Sequence, residues 1–449
     1  MHRPQNVMIA QASLLVLAEI AVFGLSMALC RSAADAVYVA AVPGFLVYAV
    51  LFRQDAARRL SWRHGVYFAA LGLAATACLI ALAQMMPLVS LSWLEVLAAV
   101  YFLAALYILL WVADQIINAA VARALGIAGD ARLPRRRVVP KTVLRILALI
   151  LLGGPFVAAA MATHGPKFKD TSNPKQLGGV DYEPVGFCTA DGVRLHGWFI
   201  PATDMSSDTS VIVVGARGMS KTCFLPHAVM LADGWFNVLL LDLRGEGESE
   251  GHTRGFGVVE GRDVVGALDY LRQARPHQSL HVFALGVSQG ASAVLAAARA
   301  DPRIEAVVAD STFPRPATEL EGMTSWLPWP LSDYFQKTTL LLASAQLGCN
   351  LFESGACRDV AQIGPRPVLL IHGQEDHAVP VRQAEELFRL ARDPAMLWKV
   401  HGASHGESLS ANPVDYSGVV GKMLRSVRLG LPPFQWAAKA NPPEVSPRA

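Results

Sequence analysis

Charge is scarce in this 449-residue chain. Asp, Glu, Lys and Arg make up 17% of it, against roughly 25% in an ordinary soluble domain. The net charge of +3 is too small to imply a nucleic-acid partner, and the basic residues cluster where membrane topology accounts for them. Cysteine is sparse too, with six residues. None falls into a Cys/His cluster of zinc spacing, so no metal is expected. Cys188 and Cys223 read as buried thiols. Cys349 and Cys357 bracket a loop-like stretch, where they either close a small disulfide ring or stay free. The part of the chain after residue 165 shows no internal repeat.

Apolar residues account for 53% of the chain, and the excess lies before residue 165. Five stretches, 7–29, 36–52, 65–89, 93–117 and 142–162, approach or exceed the roughly 20 residues that span a bilayer. The second is short and carries Pro43-Gly44. Arg53, Arg58, Arg59 and Arg63 separate the second and third stretches, and Arg123, Arg132, Arg135, Arg136, Arg137 and Lys141 separate the fourth and fifth. The loop from Pro87 to Ser92 carries no charge. Positive loops stay inside, so the amino terminus is expected in the cytoplasm and everything after residue 165 outside it, at a bacterial inner membrane. The first stretch is too long for a signal-peptide core and no A-x-A site closely follows it. Glu19, mid-stretch, reads as a paired or protonated structural carboxylate, the alternative being a functional site between helices. The expected organisation is a membrane region over 1–164, a linker over 165–179, a globular domain over 180–430 and a flexible tail over 431–449.

In the globular part, strands and helices alternate. Tyr182–Thr189 and Val193–Ile200 form a hairpin about Ala190-Asp191-Gly192. Strands follow at Ser210–Gly215, Asn237–Leu243, Leu280–Val287, Ile304–Asp310, Arg366–Ile371 and Met396–Val400, with helices between them. This pattern predicts a mostly parallel sheet with helices on both faces, and active residues at the carboxyl ends of its strands. The segment 312–364 breaks the alternation. It is far longer than a usual connection, and Trp326 to Leu331, Tyr334-Phe335 and Leu340 to Leu342 make it apolar. It is expected to form a helical cap over the site, with a greasy access route and a surface that meets lipid; the plain alternative is a helical hairpin burying its own apolar face.

Gly286-Val287-Ser288-Gln289-Gly290 sits between the strand Leu280–Val287 and the helix Gln289–Arg299. Its glycines allow a turn sharp enough to hold Ser288 exposed. Asp376 follows a later strand and His405 lies in a Gly/Ser-rich turn after the last one. A serine hydroxyl needs a base to take its proton, neutral imidazole can do that near pH 7, and a buried carboxylate fixes the imidazole's tautomer. Ser288, His405 and Asp376 are therefore the candidate nucleophile, base and acid. Glu375 and Asp310 compete for the acid's place, and His401 competes with His405. Asp310 is otherwise expected to bond the turn after it, and Asp242 and Arg244 to pin the turn after their own strand.

The order Ser, Asp, His is that of the α/β-hydrolases, and residues from about 180 to 428 resemble the Bem46-like and serine-aminopeptidase-like branch of that superfamily. The resemblance rests on Leu241-Asp242-Leu243-Arg244-Gly245-Glu246-Gly247-Glu248-Ser249-Glu250-Gly251, on the serine turn, on Val308-Ala309-Asp310-Ser311 and on the turns holding Asp376 and His405. It implies a serine hydrolase needing no cofactor, with an oxyanion hole made by the backbone N–H of Gln289 and that of Arg217. Where many relatives have His-Gly, this chain has Gly215-Ala216-Arg217-Gly218, and the Arg217 side chain is expected to point outward into solvent rather than toward an anionic substrate. The substrates implied are esters, thioesters or acyl lipids, then peptides. An acyltransferase would use the same residues; a non-catalytic receptor would need none of them.

Overall fold

The computed structural model describes residues 151, 154–165, 167–170, 172–324, 327–434 and 445–447. The five apolar stretches lie outside the described residues, apart from the end of the fifth, as do Cys30, Cys78 and Glu19. Among the described residues no helix is long and apolar enough to cross a membrane.

Among the described residues nine strands form one sheet: β1 Glu183–Cys188, β2 Arg194–Ile200, β3 Thr209–Val214, β4 Asn237–Leu241, β5 His281–Val287, β6 Ile304–Asp310, β7 Val368–Gly373, β8 Ala395–Val400 and β9 Val445–Pro447. Their order is β1-β2-β4-β3-β5-β6-β7-β8-β9. The strands from β4 across to β8 run parallel, while β1, β2 and β9 are antiparallel to their neighbours. β9 falls inside the stretch expected to be a tail.

The central strands are apolar throughout because both faces of the sheet are covered. In β3, Ile212 and Val214 point into one core and Val211 and Val213 into the other, the period-two alternation of a pleated strand. The first core is closed by helices α3 Gly261–Ala274, α4 Gln289–Ala300, α7 Ala356–Ile363 and α8 Arg382–Leu390. The second is closed by α2 Leu225–Asp233 and α9 Pro413–Arg428, with Phe236, Phe283, Trp398 and Tyr416 between.

A third cluster lies apart from these. It joins Ala159 and Ala162 of α1 (Gly154–Thr163), Leu320 of α5 (Pro316–Thr324), Leu340 and Ala343 of α6 (Leu331–Leu347), and Phe256, Phe313, Leu351 and Val379. Gly154 admits Phe335 of α6, since a Cβ there would stand 2.7 Å from the ring. At the other end of α1, Thr163 donates to Gln346 Oε1 at 2.7 Å. The end of the fifth apolar stretch is thus a helix packed on the inserted segment.

That segment divides in two. α5 and α6 form a hairpin with its own cluster, termed the cap below for the segment's expected role, whereas α7 belongs to the main core, with Ala356, Val360 and Ile363 buried at helical spacing. The stretch expected to be a linker is also docked. Asp170 pairs with Lys221, whose buried ammonium meets Asp242 at 2.8 Å and Glu248 at 2.9 Å and lies 4.6 Å from the centre of the Trp198 ring. Asp242 accepts the N–H of Lys221 and of Glu248, and Arg244 pairs with Asp191 and Asp263, so both residues do pin the turn after β4. Two of the cysteines differ from expectation, and for the other pair one of the two alternatives holds. Cys188 and Cys223 are exposed rather than buried, since they fall on the outward side of an edge strand and of a short surface helix, and Cys349 and Cys357 are unpaired thiols.

Candidate active site

β5 ends at Val287 and α4 begins at Gln289, leaving Ser288 alone to turn the chain. Its φ of 56° and ψ of −116° lie where a side chain is strained, a conformation that persists only when the surroundings impose it. Those surroundings are tight. A Cβ on Gly286 would stand 2.2 Å from the Gly290 carbonyl, and one on Gly290 would stand 2.6 Å from the carbonyls of Val214 and Gly215. The second contact also brings the loop after β3 against the start of α4. The Ser288 N–H is held by the Asp310 carbonyl at 2.8 Å.

His405 Nε2 lies 2.9 Å from Ser288 Oγ, and its Nδ1 lies 2.7 Å from Asp376 Oδ2. The loops after β7 and β8 meet because Gly373 has no side chain: a Cβ there would stand 2.2 Å from the Ala403 carbonyl. Glu375 N–H donates to that same carbonyl at 3.1 Å. On the other side Gly406 N–H donates to Ser311 Oγ at 3.0 Å. Asp376 is buried, and Oδ1 accepts the N–H groups of Ala378 at 3.0 Å and Val379 at 2.7 Å. Burial alone would raise its pKa; hydrogen bonds from His372, His405 and Val379 N–H win and hold the carboxyl well below the usual range. Burial likewise disfavours a charged His405, but the Asp376 carboxylate outweighs it and raises the imidazole above its ordinary value.

The competitors lie elsewhere. Asp310 is fully buried and accepts from the hydroxyls of Ser311 and Ser408, both at 2.9 Å; burial raises its pKa. It makes the turn contact expected of it and no hydrogen bond to His405. His401 has a side chain 86% exposed and faces Gln374 and Glu375.

The outward Arg217 expected from sequence is not what the fold builds. Its Nε donates to Gln289 Oε1 at 2.9 Å, Nη1 to Glu319 Oε1 at 2.6 Å and Nη2 to Glu319 Oε2 at 3.4 Å. The guanidinium lies 4.6 Å from the centre of the Phe256 ring. The reason is Glu319, which α5 of the cap brings down onto the loop from 102 positions away. Gly218 N–H is taken by Glu246 at 2.8 Å, and Glu246 pairs with Arg254 at 2.7 Å. Burial pushes the Glu246 carboxyl up to about 7, against the pull of Arg254 and the Gly218 N–H. Behind them Glu260 accepts Gly255 N–H at 2.5 Å and Gln289 Nε2 at 3.3 Å. Glu319, Glu246, Glu260 and His372 were not singled out from sequence. Glu246 stands within the glycine-rich run after β4, but nothing local marks Glu319 or Glu260 as facing this loop.

The model of the X-Pro dipeptidyl-peptidase (S15 family) matches residues 156–346, a stretch that holds Ser288 and stops short of Asp376 and His405. The alpha/beta hydrolase domain-containing protein WAV2 of Arabidopsis thaliana is 24% identical over 219 residues, 47% of this chain and 68% of WAV2. The uncharacterized protein YfhR of Escherichia coli (strain K12) is 31% identical over 233 residues, 51% of this chain and 75% of YfhR. This chain belongs to the α/β-hydrolase superfamily. It is a hydrolase. Among solved structures, the Pyrococcus furiosus esterase Pf2001 is 24% identical with a TM-score of 0.49, over 59% of this hydrolase and 97% of the esterase.

Proposed function

We propose that this hydrolase is a membrane-anchored serine hydrolase that cleaves an acyl ester, thioester or acyl lipid through an acyl-enzyme. The observation that carries the reading is His405, with one ring nitrogen at Ser288 Oγ and the other at a buried Asp376. Ser288 Oγ attacks the acyl carbonyl carbon while its proton passes to His405 Nε2. Asp376 holds the Nδ1–H tautomer and stabilises the imidazolium. The carbonyl oxygen becomes an oxyanion, taken by the backbone N–H groups of Gln289 and Arg217. Gln289 opens α4, so its N–H has no acceptor within the helix. The tetrahedral adduct collapses, the C–O or C–S bond to the leaving group breaks, and His405 returns the proton to that group. Water then attacks the acyl carbon, gives its proton to His405, and Ser288 recovers it as the acid leaves.

The match to the dipeptidyl-peptidase family supports a second reading, amide cleavage, in which His405 protonates a leaving amine. An acyltransferase differs only in replacing water with an alcohol or amine acceptor. A non-catalytic receptor would not need a strained serine aligned with a paired histidine.

Membrane anchoring rests on the five apolar stretches and on the arginine-rich loops, which put the hydrolase outside the cytoplasm. α1, the end of the fifth stretch, packs on α6. The exposed Trp329, Tyr334 and Leu341 of the cap fit contact with lipid.

A fluorophosphonate probe tests the nucleophile: it labels the wild type and not Ser288→Ala, and an ester and lipid panel then names the substrate. Full turnover in folded Ser288→Ala would end the reading. Topology is tested with reporters. One active only outside the cytoplasm works when fused after Ala162, and one active only inside works near Arg136; the reverse pattern means a span has been miscounted.

A further inference from the structure

We propose that the side chain of Arg217 is a positioning clamp, fixing the two backbone donors of the oxyanion site to each other and to the cap. The inference rests on the serine-hydrolase reading above. Arg217 and Gln289 stand 72 positions apart on different elements, yet Arg217 Nε–H bonds the Gln289 side-chain oxygen at 2.9 Å. The outer edge of the same guanidinium takes both oxygens of Glu319 on α5. Its face covers Phe256, which belongs to the cap's own core. Gln289 is held in turn from behind, through its amide nitrogen, by Glu260.

All three nitrogens of the fork therefore donate, and only a planar guanidinium offers donors in that arrangement; an ammonium is a point charge on a flexible stem. The loop needs such a brace. Gly215 and Gly218 flank it, and Gly218 has a φ of 73°, so the backbone by itself is loosely determined. Oxyanion donors act only when preorganised at the oxyanion's position, and displacement by about 1 Å costs on the order of 10²-fold. Because Glu319 belongs to the cap, the clamp is complete only when α5 sits over the loop. Cap position and oxyanion site are one linked state.

The test uses the purified full chain with Arg217→Lys and Glu319→Gln, a neutral and an anionic short-chain ester, and a trifluoromethyl ketone as the tetrahedral mimic. Arg217→Lys lowers kcat roughly 30-fold, with KM within about twofold, and weakens the mimic by the same factor as kcat. Glu319→Gln has a smaller effect of the same kind, about threefold. The clamp is overturned if folded Arg217→Lys keeps wild-type kcat and mimic affinity. It is also overturned if the loss is confined to KM for the anionic ester, which would make Arg217 a substrate-binding cation. Should Arg217→Lys fail to fold, Gln289→Met and Glu319→Gln decide: wild-type kcat in both removes the clamp. Failure of the hydrolase reading looks different, because the wild type itself would then neither turn over nor take the probe on Ser288, and the clamp would fall with it.

Discussion

The two sides of the candidate site are built by different means. On one side Ser288, Asp376 and His405 sit on turns at the carboxyl ends of β5, β7 and β8, and missing side chains at Gly286, Gly290 and Gly373 set the distances between them. On the other, the loop after β3 is held by long side chains reaching between elements, Arg217 to Glu319 and Gln289 to Glu260. The first side inherits its precision from the sheet. The second depends on an inserted hairpin whose core is separate from the main one and is shared with α1. A site assembled this way has one corner set by the sheet and one wall set by the packing of the insertion.

The sharpest way to break that picture is through the acid. Asp376→Asn keeps size and most contacts but can no longer hold the productive tautomer, so turnover falls roughly 10⁴-fold with the fold intact by circular dichroism. Asp310→Asn, at the end of the neighbouring strand, loses about 1 kcal/mol of stability for disturbed bonds to Ser311 and Ser408 and retains activity. If steady-state kinetics reverse these outcomes, the carboxylate that serves His405 during turnover is not the one beside it here.

The same contrast explains what could be read from the sequence. The three candidate residues that the fold brings together were legible because each follows a continuous apolar strand: Leu280–Val287 before Ser288, Arg366–Ile371 before Asp376, Met396–Val400 before His405. Local pattern places such residues at strand ends, and the topology of a parallel sheet brings strand ends together. The Arg217 side chain was misread as solvated because its partner is 102 positions away, on an insertion whose docking angle no local periodicity encodes. α7 was assigned to the cap for a related reason. The segment's length stands out, whereas the spacing of Ala356, Val360 and Ile363, which fits the main core, is short. Cys188 and Cys223 show the same gap, because apolar neighbours in sequence do not say which face of an edge element turns outward.

A second test asks whether the wall is a unit. Phe335 is nearly buried on α6 and fills the space that Gly154 leaves on α1. Phe335→Ala removes a large ring from a small cluster and is expected to cost about 3 kcal/mol. If α1, α5 and α6 form one cooperative body, hydrogen exchange rises across all three while the amides of β5 and α4 stay protected. Faster exchange spread evenly through the sheet would show that cap and core unfold together, and the contrast between the two sides would be lost.

The smallest effect is the most specific, because it reads one side of the site through the other. His405 must be neutral to take the Ser288 proton, so kcat/KM falls about tenfold per pH unit below its pKa. Burial works against the charged ring, but Asp376 first, then Asp310 and Glu319, more than offset it. The acidic limb of the wild type therefore lies above the ordinary histidine value of about 6.5. The sign for stability is opposite. A raised folded-state pKa adds stability that is full below the unfolded value and is lost as pH rises through the folded one, so the protein gains activity over the window in which it gives up this stabilisation. Glu319→Gln removes one of the three carboxylates, the one that belongs to the cap, and is expected to move the limb down, by less than the loss of Asp376 does. A limb that stays fixed in Glu319→Gln and moves only in Asp376→Asn would mean that the cap carboxylate does not reach His405 electrostatically, and that the two sides of the site are coupled through the loop after β3 alone.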